Sequence, residues 1–283
     1  MSRYALIIGI SYKNTEKYLK GCMSDIVSTY KLLLSWGYRK NNIIILGDDK
    51  LPSNEIDVNT VNKPTAFNIN SALAVFVKQL TIGDVGIIYY SGHGMRIMTS
   101  TKREESCIVP CDYKRSGVVA SESIRYYLNK VPSGVNIFCV FDCCNSGTIC
   151  DLKYHLYDTS FKKDIKTKFK KFDYTDWSLR QTLNKINDDD KTPSSISIET
   201  QANVISLSGC WDTQYSYDLG RNGALTIALM KVLESFNIRE LKIKHLLQNV
   251  RGFTMQLRVK QTPQLMFGNQ MDLDTKLANF LRI

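Results

Sequence analysis

An α/β fold is predicted, with a mostly parallel central sheet and helices on both of its faces. Four runs of branched apolar residues indicate buried strands, at 4–10, 43–46, 85–90 and 135–141. Apolar residues recur at three- and four-residue intervals over 22–36 and 66–80, which indicates two helices, the second with Thr65 as its N-cap. Strands that alternate with helices in this way pair in parallel, because each helix carries the chain back across the sheet.

The chain after residue 150 has two further parts. Residues 151–200 are mostly polar and charged and lack periodicity, so they are predicted to form a flexible connection. Regular structure is predicted again as a buried strand at 202–209, helices at 224–236 and 243–257, and a last strand at 263–267. We therefore expect three parts within one domain, at 1–150, 151–200 and 201–283.

The composition argues against several classes of protein. At 283 residues, with 43% apolar and 23% charged residues, the chain is typical of a globular protein. No run approaches the roughly 20 apolar residues of a membrane span, and the first strand begins without a leader pattern, so we expect a cytoplasmic protein with no membrane partner. The eight cysteines are expected to be reduced, and the three histidines do not supply the usual ligands of a structural zinc site.

A nucleic-acid partner is permitted by the net charge of +10. The basic residues are scattered, however, and the densest run, 162–171, also contains Asp164 and has no recognition motif beside it. A solvated loop is therefore the preferred interpretation of this run, and no nucleic-acid partner is expected.

The residues that follow two of the predicted strands carry the chemistry. His93 lies between two glycines after the strand at 85–90, and Asp142, Cys143 and Cys144 follow the strand at 135–141. Sites in open α/β sheets gather at the carboxyl ends of strands. An imidazole beside a thiol lowers the pKa of the thiol and can then protonate a leaving amine. Taken singly, His93 is a loop histidine and Cys144 a structural thiol, but together they indicate a nucleophile and its base.

These two segments carry a resemblance to a known family. Tyr90-Ser-Gly-His-Gly94 and Asp142-Cys-Cys-Asn-Ser-Gly147 resemble the YSGHG and DSCHSG motifs of metacaspases. Cys144 follows His93 by about 50 residues, the spacing seen in caspases. Four more segments resemble family motifs, namely 19–25, 108–113, 205–210 and 261–265. No prodomain is expected before the first strand, so the resemblance is to type I members without one.

The resemblance implies a caspase-like fold and a cysteine endopeptidase. It implies a large-subunit-like region at 1–150 that carries both motifs, a linker at 151–200, and a small-subunit-like region at 201–283. It also implies Cys144 as the nucleophile, His93 as general acid and base, and the main-chain N–H groups of Gly94 and Cys144 as oxyanion donors. Cys143 occupies the small-residue position before the nucleophile, which implies a packing role.

The same resemblance implies cleavage after Arg or Lys. The family's acidic specificity pocket matches Cys22, Asp25, Ser91 and Asp142. A buried guanidinium needs carboxylate partners, which agrees with this assignment. The alternative for Asp25 is an exposed acid in the first turn of a helix, where the helix dipole favours it. The expected partners are proteins or peptides with Arg or Lys before the cleaved bond, and a monomer is expected.

The family's calcium site is only partly matched. Its positions correspond to Glu104 or Glu105, Glu122 and Asp151, but Ala120 and Ser121 stand where the family has acids. Calcium takes six to eight oxygen ligands, chiefly carboxylates. We therefore expect a weakened calcium site and no required cofactor.

The linker is a predicted site of self-cleavage, and two alternative functions are considered beside the peptidase. The linker offers basic residues as cleavage sites, at 162–171, Arg180 and Lys185, close in sequence to Cys144. An inactive caspase-like interaction module is disfavoured by the retention of Cys144 and His93. A peptidase specific for acidic residues is disfavoured by Asp25 and Asp142, because like charges repel in a dry pocket.

Overall fold

The computed structural model describes residues 1–57, 60–98, 104–144, 146–157, 168–171, 200–210 and 216–283. Its strands, in chain order, are β1 (Arg3–Gly9), β2 (Ile43–Gly47), β3 (Val85–Ser91), β4 (Gly94–Met98), β5 (Glu104–Ile108), β6 (Val119–Ala120), β7 (Asn136–Asp142), β8 (Tyr154–Tyr157), β9 (Lys168–Lys171), β10 (Asn203–Ser208) and β11 (Gln264–Phe267). Its α-helices are α1 (Cys22–Ser35), α2 (Ala66–Gln79), α3 (Tyr113–Ser116), α4 (Ser121–Leu128), α5 (Ala224–Ser235), α6 (Ile243–Gln256) and α7 (Leu277–Leu281).

Eight strands form the central sheet, in the order β2-β1-β3-β7-β10-β11-β8-β9. The first five are parallel, and β11, β8 and β9 pair antiparallel at the far side. This is the mostly parallel α/β sheet that the strand and helix pattern predicts.

Helices pack on both faces of the sheet. Successive residues of a strand point to opposite faces, so each face carries apolar side chains that a helix can cover. In β1, Ile7 packs into the core formed with α1, α5, α6 and α7. Its neighbour Leu6 packs into the core formed with α2 and α4 on the other face. Both side chains are fully buried, as the continuous apolar runs predict for strands covered on two sides.

The predicted element bounds agree with the structure to within one residue for β1, β2, β3, β7, α1 and α2. Thr65 is the N-cap of α2, since its side chain accepts a hydrogen bond from the N–H of Asn68 at 3.1 Å. Several short elements were not predicted from periodicity, among them α4 and the strands β8 and β9. The predicted connection at 151–200 thus includes two strands, β8, which pairs with β11, and β9, which pairs with β8.

A small three-stranded sheet lies beside the carboxyl ends of the large one. It has the order β4-β5-β6, and β4 begins at Gly94, directly after His93. In the large sheet, Ser91 at the end of β3 pairs with Gly9 of β1 and with Asp142 of β7. The carboxyl ends of β1, β3 and β7 therefore lie side by side, which brings the predicted site residues to one edge of the large sheet.

None of the helices in the described ranges is both long and apolar enough to cross a bilayer. The side chains of the linker residues named as cleavage sites, including Arg180 and Lys185, lie outside the residues that the structure describes.

Candidate active site

A cavity of about 540 Å³ opens at the carboxyl edge of the sheet. It is lined by residues from the ends of β3 and β7, from α1 and from the segment after β10. His93, Cys144, Asp25, Ser91 and Asp142 all lie on its wall. The structure therefore brings the predicted catalytic residues and the predicted substrate-binding residues into one cavity.

The two neighbouring cysteines are placed differently. Cys144 is half-buried and lines the cavity, and its Sγ accepts a hydrogen bond from the N–H of Ser216 at 3.2 Å. Cys143 is 1% exposed and belongs to the core beneath α2 and α4. Only Cys144 of this pair is presented to a substrate in the cavity.

His93 is held by main-chain and aromatic contacts. Its Nε2 lies 2.7 Å from the carbonyl oxygen of Lys17, so this nitrogen carries the proton and donates it. The main-chain N–H of His93 donates to the hydroxyl of Tyr12 at 3.0 Å, and the main-chain carbonyl of His93 accepts from the hydroxyl of Tyr90 at 2.7 Å. The ring of Tyr12 lies 4.7 Å from the imidazole between centroids. With Nε2 engaged, Nδ1 is left as the basic nitrogen.

Burial sets the resting protonation of this pair. It raises the pKa of the Cys144 thiol, an effect that the N–H of Ser216 opposes. It also lowers the pKa of His93, against the hydrogen bond to Lys17. Both shifts favour the uncharged forms. At neutral pH the free protein therefore holds a thiol and a neutral imidazole.

Asp25 lies at the floor of the cavity and is fully buried. Its Oδ2 accepts a hydrogen bond from Ser91 Oγ at 2.6 Å, and its Oδ1 accepts from Asn222 Nδ2 at 2.7 Å. The N–H of Gly223 also points to this carboxylate, at 3.1 Å from Oδ1. Burial, followed by the charge of Asp142, raises the pKa of Asp25 to about 8. The interpretation of Asp25 as an exposed helix-terminal acid is therefore wrong.

Asp142 is the second buried carboxylate of the cavity. Its Oδ2 accepts from the N–H and the hydroxyl of Thr226, at 2.9 and 2.8 Å, and its Oδ1 accepts from Ser216 Oγ at 2.8 Å. Burial raises the pKa of Asp142 despite these bonds. A side chain at Gly223 would overlap the Asp142 carboxylate, so only glycine fits there.

Cys22 completes the predicted pocket. It is 3% exposed, at the start of α1, and burial raises the pKa of its thiol well above the ordinary value. A neutral thiol beside two carboxylates gives the pocket an apolar side. Asp218 adds a third acid on the cavity wall, where it also accepts hydrogen bonds from the N–H groups of Lys20 and Gly21.

The backbone of Gly94 packs directly on Cys144. A Cβ at position 94 would overlap the carbonyl oxygen of Cys144 and come within 3.1 Å of Cys143 Sγ. The two predicted oxyanion donors therefore belong to adjoining main-chain segments. Their role as donors stays a prediction.

Two of the predicted calcium ligands contact an arginine. Asp151 and Glu122 lie 3.3 and 4.0 Å from the guanidinium of Arg125 on α4, and Glu105 accepts a hydrogen bond from the N–H of Glu122. The side chain of Glu104 lies outside the described residues. Within the described ranges, no group of three or more His, Cys, Asp or Glu side chains is arranged to hold a metal ion. Since a guanidinium already occupies the cluster, its residues do not fit a calcium ion.

Several contributors to the cavity were missed by the sequence analysis. Tyr12, Ser216, Asn222 and Thr226 donate or accept the hydrogen bonds that fix its functional groups. Tyr12 could have been predicted, because it follows β1, and the carboxyl end of β1 lies at the same edge of the parallel sheet as those of β3 and β7. The others follow β10, the remaining parallel strand, but their residue types are ordinary for a loop.

Comparison with known proteins supports the fold and the family. The family model described as "Metacaspase, peptidase C14 domain" matches residues 3–153. A crystal structure of a protein from Geobacter sulfurreducens has a TM-score of 0.66 to this chain at 19% identity, and the match covers 98% of both chains. That likeness supports the fold alone.

Relatives extend the match over nearly the whole chain. Metacaspase-3 of Trypanosoma brucei brucei is 30% identical over 286 residues, which cover 95% of this chain and 72% of that protein. Metacaspase-4 of Arabidopsis thaliana is 34% identical over 172 residues, 59% of this chain and 38% of that protein. A protein named inactive metacaspase-4, from Trypanosoma brucei brucei, is 29% identical over 289 residues, 95% of this chain and 72% of that protein.

The family model covers more than half of the chain, and the segment it covers contains both strand ends that carry His93 and Cys144. Similarity to the relatives continues through the strands and helices that close the cavity from the other side. On these grounds the chain belongs to the metacaspase family and is a cysteine peptidase.

Proposed function

We propose that the protein is an endopeptidase that cleaves peptide bonds after Arg or Lys, with Cys144 as nucleophile and His93 as general acid and base. One observation carries the proposal: two buried carboxylates, Asp25 and Asp142, lie in the same cavity as the thiol and the imidazole.

The chemistry of the cavity floor favours a cationic side chain. Burial raises the pKa of both carboxylates, and a neighbouring charge adds to each shift, that of Asp142 for Asp25 and that of Asp218 for Asp142. A guanidinium or ammonium group between them would relieve that repulsion and restore their ordinary acidity. An acidic substrate side chain would add a further negative charge to a cavity that already contains three acids. The pocket therefore selects Arg or Lys at the residue before the cleaved bond.

The proposed reaction uses the free nitrogen of His93. Nδ1 takes the proton from Cys144 Sγ as the thiolate attacks the scissile carbonyl carbon. The tetrahedral intermediate then collapses, the C–N bond breaks, and the imidazolium gives its proton to the leaving amine. Water, deprotonated by His93, hydrolyses the thioester and releases the carboxylic acid and the thiol.

Positions of the neighbouring groups support these steps. The N–H of Ser216, 3.2 Å from Sγ, stabilises negative charge on the sulfur. The carbonyl of Lys17, 2.7 Å from Nε2, stabilises the imidazolium that forms when Nδ1 is protonated. Main-chain N–H groups of Gly94 and Cys144 are assigned to the oxyanion.

Self-processing is a second part of the proposal. β8 ends at Tyr157, so the chain enters the lysine-rich run 162–171 soon after this strand, and the last four residues of the run form the edge strand β9. A tethered segment has a high effective concentration, so even a modest cleavage sequence competes well with free substrate.

The experiment that tests the main proposal compares matched fluorogenic peptides that end in Arg, Lys or Asp before the reporter. We expect hydrolysis of the Arg and Lys peptides and none of the Asp peptide. The Cys144→Ala variant is the control for contaminating peptidases. Equal rates on all three peptides would refute the pocket, and no hydrolysis of any of them would refute the peptidase assignment.

A further inference from the structure

Arg125 is an arginine inside the protein rather than on its surface. It lies on α4 and is 4% exposed. Its Nη1 lies 3.3 Å from Oδ2 of Asp151, and its Nη2 lies 4.0 Å from Oε1 of Glu122. A buried guanidinium costs several kcal/mol unless anions surround it. These acids supply that surrounding.

The same cluster includes Glu105 of β5. Its Oε1 accepts from the N–H of Glu122 at 3.0 Å and lies 3.2 Å from Ser121 Oγ. Ser121 Oγ also lies 3.2 Å from Oδ2 of Asp151. Glu105 and Glu122 are 7% and 6% exposed, so the carboxylates are removed from water together.

Three polar atoms of the cluster are buried without a hydrogen bond from another described residue: Glu105 Oε2, Glu122 Oε1 and Arg125 Nη2. An unsatisfied buried carboxylate oxygen is unfavourable unless a cation lies close to it. The guanidinium is the cation at this place in the described structure. It balances the carboxylates by charge rather than by a full set of hydrogen bonds.

Asp151 belongs to the segment that continues from Cys144. That segment is anchored by Ile149 and Leu152, both fully buried, and by a 2.9 Å hydrogen bond between Thr148 and Ser106 of β5. The ion pair with Arg125 adds a link from this segment to α4. A cation that binds Asp151 therefore also fixes the main chain that follows Cys144.

We infer that Arg125 is the resident cation of this cluster, that it positions the segment after Cys144, and that it takes the place a calcium ion would otherwise fill. Calcium needs six to eight oxygens and no cation among them. The inference rests on the contacts of Arg125 and not on the substrate proposed above.

Replacing Arg125 by residues that lack its positive charge tests this inference. Arg125→Ala would remove the cation that faces the carboxylates of Asp151 and Glu122. These groups, with the neighbouring Glu105 carboxylate and Ser121 hydroxyl, would then be oxygen ligands that can close around a calcium ion. The variant is compared with wild type, with Arg125→Gln and Arg125→Lys, and with Arg251→Ala as a matched control. Arg251 is a partly buried arginine of α6 whose Nε donates to the carbonyl of Pro263 at 2.9 Å.

Thermal unfolding in chelator and in millimolar calcium chloride is the first readout, since it does not depend on activity. We expect calcium to raise the Tm of Arg125→Ala and Arg125→Gln by several degrees, because it binds only their folded state. Calcium is expected to leave the Tm of wild type, of Arg125→Lys and of Arg251→Ala unchanged.

Peptide hydrolysis is the second readout. In chelator, Arg125→Ala is expected to lose about tenfold or more in kcat, and calcium is expected to restore most of it. Wild type is expected to be equally active in both buffers. A calcium response in wild type, or none in either neutral variant whether folded or not, would overturn the inference. Loss of hydrolysis in every sample with the Tm pattern intact would count against the peptidase proposal alone.

Discussion

Tyr12 contacts His93 twice, with its ring against the imidazole and with its hydroxyl at the main-chain N–H. The rings lie 4.7 Å apart, and the hydroxyl accepts the N–H of His93 at 3.0 Å while it donates to the carbonyl of Val109 at 2.5 Å. Tyr12 itself has a positive φ of 52°, an uncommon backbone conformation for tyrosine. The chain after β1 is therefore bent so that a tyrosine hydroxyl meets the histidine loop.

Removing this hydroxyl should misplace the base without removing it. We expect Tyr12→Phe to lower kcat about tenfold with little change in KM, because the N–H of His93 loses its partner while the pocket floor is untouched. Steady-state kinetics on an Arg peptide measures this. Tyr38→Phe is the matched control, since Tyr38 is buried and its hydroxyl has no hydrogen bond within the described residues. Equal losses in both variants would show that Tyr12 acts only on stability.

The two cysteines at the end of β7 should respond differently to truncation. Cys144→Ala is expected to abolish peptidase activity with the fold intact, because it removes the only thiol of the pair that reaches the cavity. Cys143→Ala is expected to keep substantial turnover and to lose about 1 kcal/mol of unfolding free energy from its core position. Activity assays with urea unfolding separate the two effects. The reverse pattern would move the nucleophile to Cys143.

Asp25 should impose a pH dependence on cleavage after Arg. Its pKa of about 8 means that the carboxyl is protonated below that pH and ionised above it in the free enzyme. Since the substrate cation needs the ionised form, kcat/KM is expected to rise between about pH 7 and 9. Burial lowers the pKa of His93, so deprotonation of the base is complete before this rise.

Asp25→Asn supplies the test of that assignment. The variant is expected to lose a few kcal/mol of transition-state binding for the Arg peptide and to lose the rise near pH 8. An unchanged pH profile in the variant would assign the rise to another group. Unchanged kcat/KM would remove Asp25 from the pocket.

Gly94 should tolerate no side chain. We expect Gly94→Ala to reduce activity by at least about a hundredfold, because the new methyl group would push the Cys144 carbonyl out of place. Gly252→Ala in α6 meets no atom within 4 Å and should be active and more stable by about 0.5–1 kcal/mol. Kinetics and thermal unfolding of the two variants test this, and a fully active Gly94→Ala would rule out close packing on the nucleophile.

Self-cleavage should depend on Cys144. Purified protein is expected to yield fragments cut after basic residues within 162–171 or after Arg180 or Lys185, located by intact mass. The Cys144→Ala variant, incubated in parallel, should remain whole. Fragments in both samples would indicate a contaminant, and fragments in neither would remove self-processing from the mechanism.

Much of this site could be predicted because its functional residues directly follow strands whose apolar runs are unmistakable. Once β3 and β7 are placed side by side, His93, Ser91, Asp142 and Cys144 must share one edge. Asp25 was harder, because an acid in a first helical turn has an ordinary explanation.

The remaining groups left little trace in the sequence. Lys17 acts through its carbonyl oxygen, which every residue type possesses. Ser216 and Thr226 come from a distant segment and have no distinctive pattern. Arg125 was not predicted, because an arginine three residues after a glutamate on a helix has an ordinary explanation as a surface ion pair.

The hydrogen bonds of the cavity floor have a consequence for the order of synthesis. His93 and Cys144 precede the linker at 151–200, but most of the groups that hydrogen-bond Asp25 and Asp142 come from residues 216–226. A ribosome releases His93 and Cys144 well before it releases Asn222 and Thr226. During that interval the emerging chain carries the thiol of Cys144 without the N–H of Ser216 that contacts it and without the later partners of the two carboxylates. The cavity is therefore complete only when residues 216–226 have docked against Asp25 of α1 and Asp142 of β7.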